Sequence, residues 1–298
     1  MTTRQLSPVV AFGIAAAGIG LFSIMDAFMK SLTLALGVYN AIVWRTGVST
    51  LVGAAAWLVA GRPMPSRRSL RLHLVRGAIT AVMATLFFWG LARVPMAQAI
   101  TLAYIAPILA LIGGALWLGE RVGRRVAIAS VAAFAGVLVV LLAQPVALGH
   151  QALLGSAAVL VSAVLYAGNL LVARLQSQAA GPAEIAFLQS GMVTAFLLLA
   201  APWFLAVPPA SEWWKIGAGA VLATASLFLL GWAYAHGEAG YLATTEYTSF
   251  VYAATLGWLV FGERLTAPTV LGAGVIVAAC LFAARRRDLA QTTLDPAA

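Results

Sequence analysis

The chain carries nine acidic residues and three histidines in 298, and few of them stand where chemistry is done. Glu246 is the foremost. It lies in Thr244-Thr245-Glu246-Tyr247-Thr248-Ser249, eight positions into an apolar run beginning near residue 239, about 11 Å along a helix. A carboxylate at that depth must face a cavity, meet a cation or hold a proton, because hydrocarbon does not solvate charge. It is a candidate for substrate contact and for proton coupling; the alternative is a structural hydrogen bond between helices. Asp26 also follows an apolar run, with Lys30 one turn later at a spacing suited to a local ion pair. If the helix continues through Ala35, Asp26 lies deep; if it ends near Lys30, Asp26 is a charge at a helix end. Arg45 can neutralise Asp26 or Glu246, but its long stem favours snorkelling to the outer interface. Tyr166 and Asn169, three residues apart, share a helical face. Thr245, Ser249, Tyr104 and Tyr247 complete the polar groups expected to contact a substrate, and Trp89 and Trp232 are candidate gates.

These residues do not assemble into an enzyme. An intramembrane serine protease needs a membrane histidine beside its serine, whereas His73, His150 and His236 fall at loops or helix ends. An aspartyl enzyme needs two facing membrane aspartates, and Asp26 stands by itself. There is no His-Glu-x-x-His run for zinc and no glycine-rich loop with a lysine to cradle a nucleotide phosphate. The single cysteine, Cys280, cannot build a disulfide framework or a thiolate metal site. No cofactor and no metal are expected.

The elements that position these side chains follow from composition. The chain is 62% hydrophobic and 9% charged, with a mean hydropathy of +0.97. A soluble domain carries roughly 25% charged residues, so this chain cannot cover a water-facing surface. In lipid, backbone groups must be satisfied within the segment, which leaves helices or closed barrels. Unbroken apolar runs such as Val131 to Ala143 choose helices over the alternating pattern of a barrel. A span takes about 20 apolar residues, and ten are expected, near 9–30, 39–60, 72–92, 96–118, 125–143, 152–174, 184–204, 214–235, 239–261 and 268–284. Pro107 removes a backbone donor within the fourth and is a candidate kink. The net charge of +9 reflects arginines in loops rather than a nucleic-acid surface. With the N-terminus placed in the cytoplasm, thirteen Lys and Arg lie inside and four outside, so both termini are expected in the cytoplasm. The N-terminal run, which has no clear small-x-small site after it, is read as the first span and not as a cleaved signal.

A shift of 143 positions lays Trp89 to Arg121 on Trp232 to Arg264 without a gap. Trp89 meets Trp232, Thr101 meets Thr244, Tyr104 meets Tyr247, and Gly119-Glu120-Arg121 meets Gly262-Glu263-Arg264. Asp26 falls on Asn169, and a shift of 144 lays Arg45-Thr46-Gly47 on Gln189-Ser190-Gly191. A repeat of five spans, an odd number, must invert its second copy across the membrane. The expected organisation is an all-α, polytopic membrane protein of ten transmembrane helices as two inverted five-helix repeats around a central cavity: a cytoplasmic N-terminus (1–8), a first repeat (9–143), a second (144–284) and a cytoplasmic tail (285–298). Inverted repeats are a hallmark of secondary transporters, with the substrate near the midplane. Glu120 and Glu263 then lie on opposite sides and cannot form a catalytic pair. A structural role is expected of each, in pairing with the next arginine or capping a neighbouring helix.

Ten spans in two halves, each with Gly-Glu-Arg at the end of its fourth helix, resemble the drug/metabolite transporter superfamily in its EamA-type branch, and within it the YddG-type inner-membrane amino-acid exporters. The resemblance covers about Val9 to Ala284. It implies a basket-like bundle lined mainly by the first, third, fourth, sixth, eighth and ninth helices, in a bacterial-type inner membrane. It also implies export of small metabolites, amino acids foremost, by a monomer using alternating access, with protons as a candidate coupling ion and no nucleic-acid partner. An exporter of drugs or quaternary cations is the second reading, and an intramembrane enzyme a remote third.

Overall fold

The protein is described by a computed structural model covering residues 8–61, 64–118, 124–142, 149–236 and 243–284. Among the described residues all regular structure is helical, as a lipid environment demands of backbone donors and acceptors. The α-helices are α1 (Pro8–Leu36), α2 (Val38–Val59), α3 (Arg67–Leu91), α4 (Met96–Ala103), α5 (Ile105–Leu118), α6 (Arg124–Leu142), α7 (Gly149–Ser177), α8 (Pro182–Leu198), the short α9 (Ala201–Phe204), α10 (Trp213–His236), α11 (Thr248–Phe261) and α12 (Ala267–Ala284). Five helices are long and apolar enough to cross a membrane, and four further apolar segments are shorter. The Gly119-Glu120-Arg121 triplet lies outside the described residues.

Three elements depart from the expected spans in ways that matter for the site. α1 continues to Leu36, so Asp26 lies ten residues, about 15 Å, before its end. Gly37, at φ 79°, then turns the chain directly into α2; a β-carbon would oppose that conformation. The fourth span is two helices: α4 stops at Ala103, Tyr104 forms a turn, and α5 begins at Ile105. Pro107 explains the break, since it has no N–H to donate to the carbonyl of Ala103. The described part of the ninth span is broken at the matched place. Ala243–Tyr247 is a 3₁₀ turn and the α-helix starts only at Thr248, so Glu246 stands in a turn and not within a continuous α-helix.

Small residues let the helices close up where there is no water to squeeze out. α1 packs most extensively on α10, and α3 on α7; α2 packs on α8, and α6 on α12. At the α3–α7 crossing a β-carbon on Gly90 would lie 2.5 Å from the carbonyl oxygen of Gly155, and at α6–α12 one on Gly136 would lie 2.7 Å from Ile276. The core is accordingly rich in alanine and methionine, with Met25, Met29, Leu32, Ile42, Leu91 and Met96 buried. Large apolar side chains such as Leu51, Val59, Leu142 and Leu271 point outward, the distribution of a protein dissolved in lipid. At the start of α2, Tyr39 donates to Leu197 O and Trp44 to Ala206 O, both at 2.8 Å, which fastens the chain after α8 over that helix end.

Candidate functional site

The breaks in the fourth and ninth spans meet each other. The rings of Tyr104 and Tyr247 stand edge to face with centroids 5.6 Å apart. The Tyr104 hydroxyl lies 2.8 Å from Ser249 Oγ, and that hydroxyl in turn donates to the carbonyl of Glu246 at 2.5 Å. Thr248 donates to the carbonyl of Thr245 at 2.6 Å. The Ser249 and Thr248 bonds are both i to i−3 bonds from a hydroxyl back to the preceding turn, and they brace the passage from the 3₁₀ turn into α11. Tyr104 and Thr245 are buried. The Glu246 side chain is exposed at this turn. Its carboxylate has no hydrogen-bond or ion-pair partner among the described residues.

Asn169 and Tyr166 belong to a second group, between α3, α7 and α8. Arg76 donates from Nε to Asn169 Oδ1 at 3.0 Å and from Nη1 to Gln176 Oε1. Thr80 bonds Asn169 Oδ1 at 3.3 Å, and Gln189 donates to Thr80 at 3.1 Å. Gln176 also meets His73 Nδ1 at 2.6 Å, and Glu184 receives both His73 Nε2, at 3.3 Å, and the Ser69 hydroxyl. Tyr166 is exposed on α7, one turn before Asn169, and its phenol acts electrostatically on Arg76. Sequence reasoning missed this network. It counted Arg76 with the loop arginines and placed His73 at a helix end, whereas α3 starts at Arg67 and carries both inward. A signal was present: Ser69, His73, Arg76 and Thr80 recur at intervals of four, three and four, a polar stripe on one helical face.

Asp26 stands in a third place, 5% exposed on α1. It does not pair with Lys30. That ammonium turns the other way, donating to Val94 O at 2.7 Å and pairing with Glu263, whose other oxygen accepts from the backbone N–H of Met96 at 2.7 Å. Glu263 thus caps α4, in the structural role expected of it. Arg45 stands on the neighbouring helix α2 and is part-buried. Its stem lies against α10, with Cδ 3.6 Å from where a β-carbon of Gly219 would be, and its charge acts on Asp26 without an ion pair within 4.0 Å. The candidate gates differ from each other: Trp89 is half-buried, with the Arg93 guanidinium 3.5 Å over its ring, whereas Trp232 is exposed. The eight residues expected to touch substrate therefore fall into three groups: Glu246, Thr245, Ser249, Tyr104 and Tyr247 at the breaks, Asn169 and Tyr166 beside Arg76, and Asp26 near Arg45. Among the described residues no cluster of three or more His, Cys, Asp or Glu could hold a metal.

Comparison with known proteins agrees with a helical transporter. The EamA-like transporter family matches residues 8–142 and again 153–285. The pseudopaline exporter of Pseudomonas aeruginosa is 30% identical over 270 residues, covering 89% of this chain and 93% of that one. A riboflavin transporter of Rhizobium johnstonii is 28% identical, covering 89% and 87%, and one of Vibrio cholerae 31%, covering 72% and 74%. These names carry the family resemblance but not its narrowing to YddG-type amino-acid exporters. A solved crystal structure with 19% identity superposes with a TM-score of 0.58, covering 93% of this chain and 99% of that one, a likeness of fold. Helical throughout its described residues, apolar enough for several spans and matched over both halves, this multi-pass membrane protein belongs to the EamA-like transporter family.

Proposed function

We propose that the protein is a secondary transporter that exports small metabolites, amino acids foremost, from the cytoplasm by alternating access. It acts as a monomer of ten spans in a bacterial-type inner membrane, with both termini cytoplasmic. The observation that carries this reading is the meeting of two broken helices at the matched tyrosines Tyr104 and Tyr247, with the unpartnered carboxylate of Glu246 beside them. Discontinuous helices that aim half-helix ends and a polar group into the bundle are how secondary transporters hold a substrate.

Several features support two inverted five-helix repeats. The shift of 143 that relates the tyrosines also carries α5, Ile105–Leu118, onto α11, Thr248–Phe261. It relates two helix contacts as well: Gly18 meets Ser226 and Ser31 meets Lys215 across α1–α10, while Met83 meets Ser162 and Arg76 meets Asn169 across α3–α7, in the same register. The two stretches matched by the family fall on the same halves, and the excess of basic residues in the loops sets the orientation.

In this reading Glu246 meets the ammonium of a substrate, Thr245, Ser249, Tyr104 and Tyr247 line its path, and Asn169, Tyr166 and Asp26 meet it at other depths. Trp89 and Trp232 gate the two ends. A carboxylate carried in the same turn as Tyr247, whose ring packs on Tyr104, equally suits a cation, which keeps exporters of drugs or quaternary cations as the second reading. Reconstituted vesicles assayed with amino acids, sugars and cationic dyes, with and without a pH gradient, separate the two. If Glu246 cycles a proton, Glu246→Gln abolishes gradient-driven transport and leaves exchange. If it only contacts substrate, Glu246→Gln weakens affinity for cationic and zwitterionic compounds and leaves any pH dependence unchanged. Wild-type rates and affinities in Glu246→Gln overturn both.

A further inference from the structure

The buried side-chain polar atoms without a protein partner, among the described residues, are Asp26 Oδ1, Thr33 Oγ1, Arg45 Nε and Ser49 Oγ. All four lie on α1 and α2. Asp26 and Thr33 are seven residues apart and share one face of α1; Arg45 and Ser49, four apart, share one face of α2. The faces converge. The antiparallel register of α1 and α10, set by Ser226 on Gly18 O at 2.7 Å and Lys215 near Ser31 at 3.5 Å, puts Asp26 level with Gly219. That glycine is where the stem of Arg45 rests. An acceptor and a donor of opposite charge thus stand at one level of the bundle without closing on each other. The neighbouring charges are already committed: Lys30 to Glu263, and Lys215 to Glu212 at 2.9 Å. Thr33 leads outward, about 10 Å along α1 from Asp26, and borders a cleft lined also by Val38, Trp89 and Arg93.

We infer that this recess binds the charged ends of a zwitterion, with Arg45 receiving the carboxylate and Asp26 the ammonium, while Thr33 supplies a hydroxyl on the outward side and Ser49 one a turn deeper than Arg45. A buried charge left without a partner costs several kcal/mol, and a ligand carrying both complementary charges removes that cost for both residues at once. A compound with one charge leaves the other residue exposed to it. The inference rests on the export reading and deepens it, since it gives α1 and α2 a site for both charged ends of the substrate at a different depth from Glu246.

The test uses the full-length protein in vesicles loaded with the twenty L-amino acids and assayed by counterflow. Each amino acid that exchanges is compared with its amide, which lacks the carboxylate, and its deamino acid, which lacks the ammonium. In the wild type both analogues compete at least tenfold more weakly than the zwitterion. Arg45→Gln lets the amide compete as well as the zwitterion, and Asp26→Asn does so for the deamino acid. Analogues that compete as well as the zwitterion in the wild type overturn the inference, as does discrimination that survives in both recess variants. A second arm needs no transported substrate. With Cys280 replaced by serine, Ser49→Cys reacts at least tenfold faster with an anionic than with a cationic methanethiosulfonate, and the preference vanishes on adding Arg45→Gln. Equal rates, or no modification, overturn the recess. If no amino acid exchanges while this preference holds, the anion-reading recess stands and the amino-acid export reading falls.

Discussion

Two junctions of this bundle occupy matched positions and are wired differently. At one, Asn169 on α7 faces Arg76 on α3, with Gln189 of α8 alongside. At the other, Asp26 on α1 faces Gly219 on α10, and Arg45 of α2 takes the place of Gln189. Each junction holds one guanidinium, delivered from a different helix. In the first, neutral amides hold it with directional bonds and every buried polar side-chain atom is satisfied. In the second, a carboxylate and a guanidinium of opposite charge stay apart with polar atoms unmatched. A satisfied buried network rigidifies its surroundings.

The sharpest way to break this contrast is Arg76→Ala. It leaves buried Gln176 Oε1 without its arginine donor, worth about 1–3 kcal/mol, and leaves Asn169 Oδ1 with the Thr80 hydroxyl at 3.3 Å in place of a charged donor. Thermal unfolding in detergent should show a marked fall in Tm, whereas Asp26→Asn should stay within about 1 kcal/mol of the parent. Equal losses in the two variants would erase the distinction. Next in size is Glu263→Gln, which takes the countercharge from Lys30 and is expected to cost about 1.5–3 kcal/mol by the same measurement. The freed ammonium has Asp26 one turn away, so the double variant with Asp26→Asn should lose more than the two single losses together. Asn169→Asp makes the first junction charged and should stabilise it by about 1 kcal/mol, because a carboxylate accepts more strongly from arginine than an amide does. A lower Tm would mean that the network already holds the countercharge Arg76 needs. The smallest effect belongs to Gly219→Ala. Its new methyl would sit at 3.6 Å from Arg45 Cδ, an ordinary contact, so Tm should move by no more than about 0.5 kcal/mol equivalent. Gly219→Leu should displace Arg45 and abolish the charge preference at Ser49→Cys.

Much of the architecture was legible in the chain. Long apolar runs and the pairing of Tyr104 with Tyr247 by a fixed shift are local or periodic features, and they placed most helices within a few residues. The break at Tyr104 was half visible in Pro107. The polar stripe Ser69, His73, Arg76 and Thr80 was visible too, but it went unread because arginines near a span end are ordinarily loop charges. The site was less legible. Lys30 sits one turn from Asp26, a spacing that favours a local pair, yet it is taken by Glu263, 233 positions away.

By itself, then, the sequence determined the solvent, the helical class, the family and the matched positions, since hydropathy and spacing are properties of the chain read in one dimension. The tertiary structure decided which buried charges are satisfied and which are not. Arg45 turns inward because Gly219 leaves room for its stem, and Glu246 stands at the end of a 3₁₀ turn whose carbonyls are held by hydroxyls from Thr248 and Ser249. Whether a charge inside a membrane finds a partner depends on which helices happen to be its neighbours, and that is settled only when the helices pack.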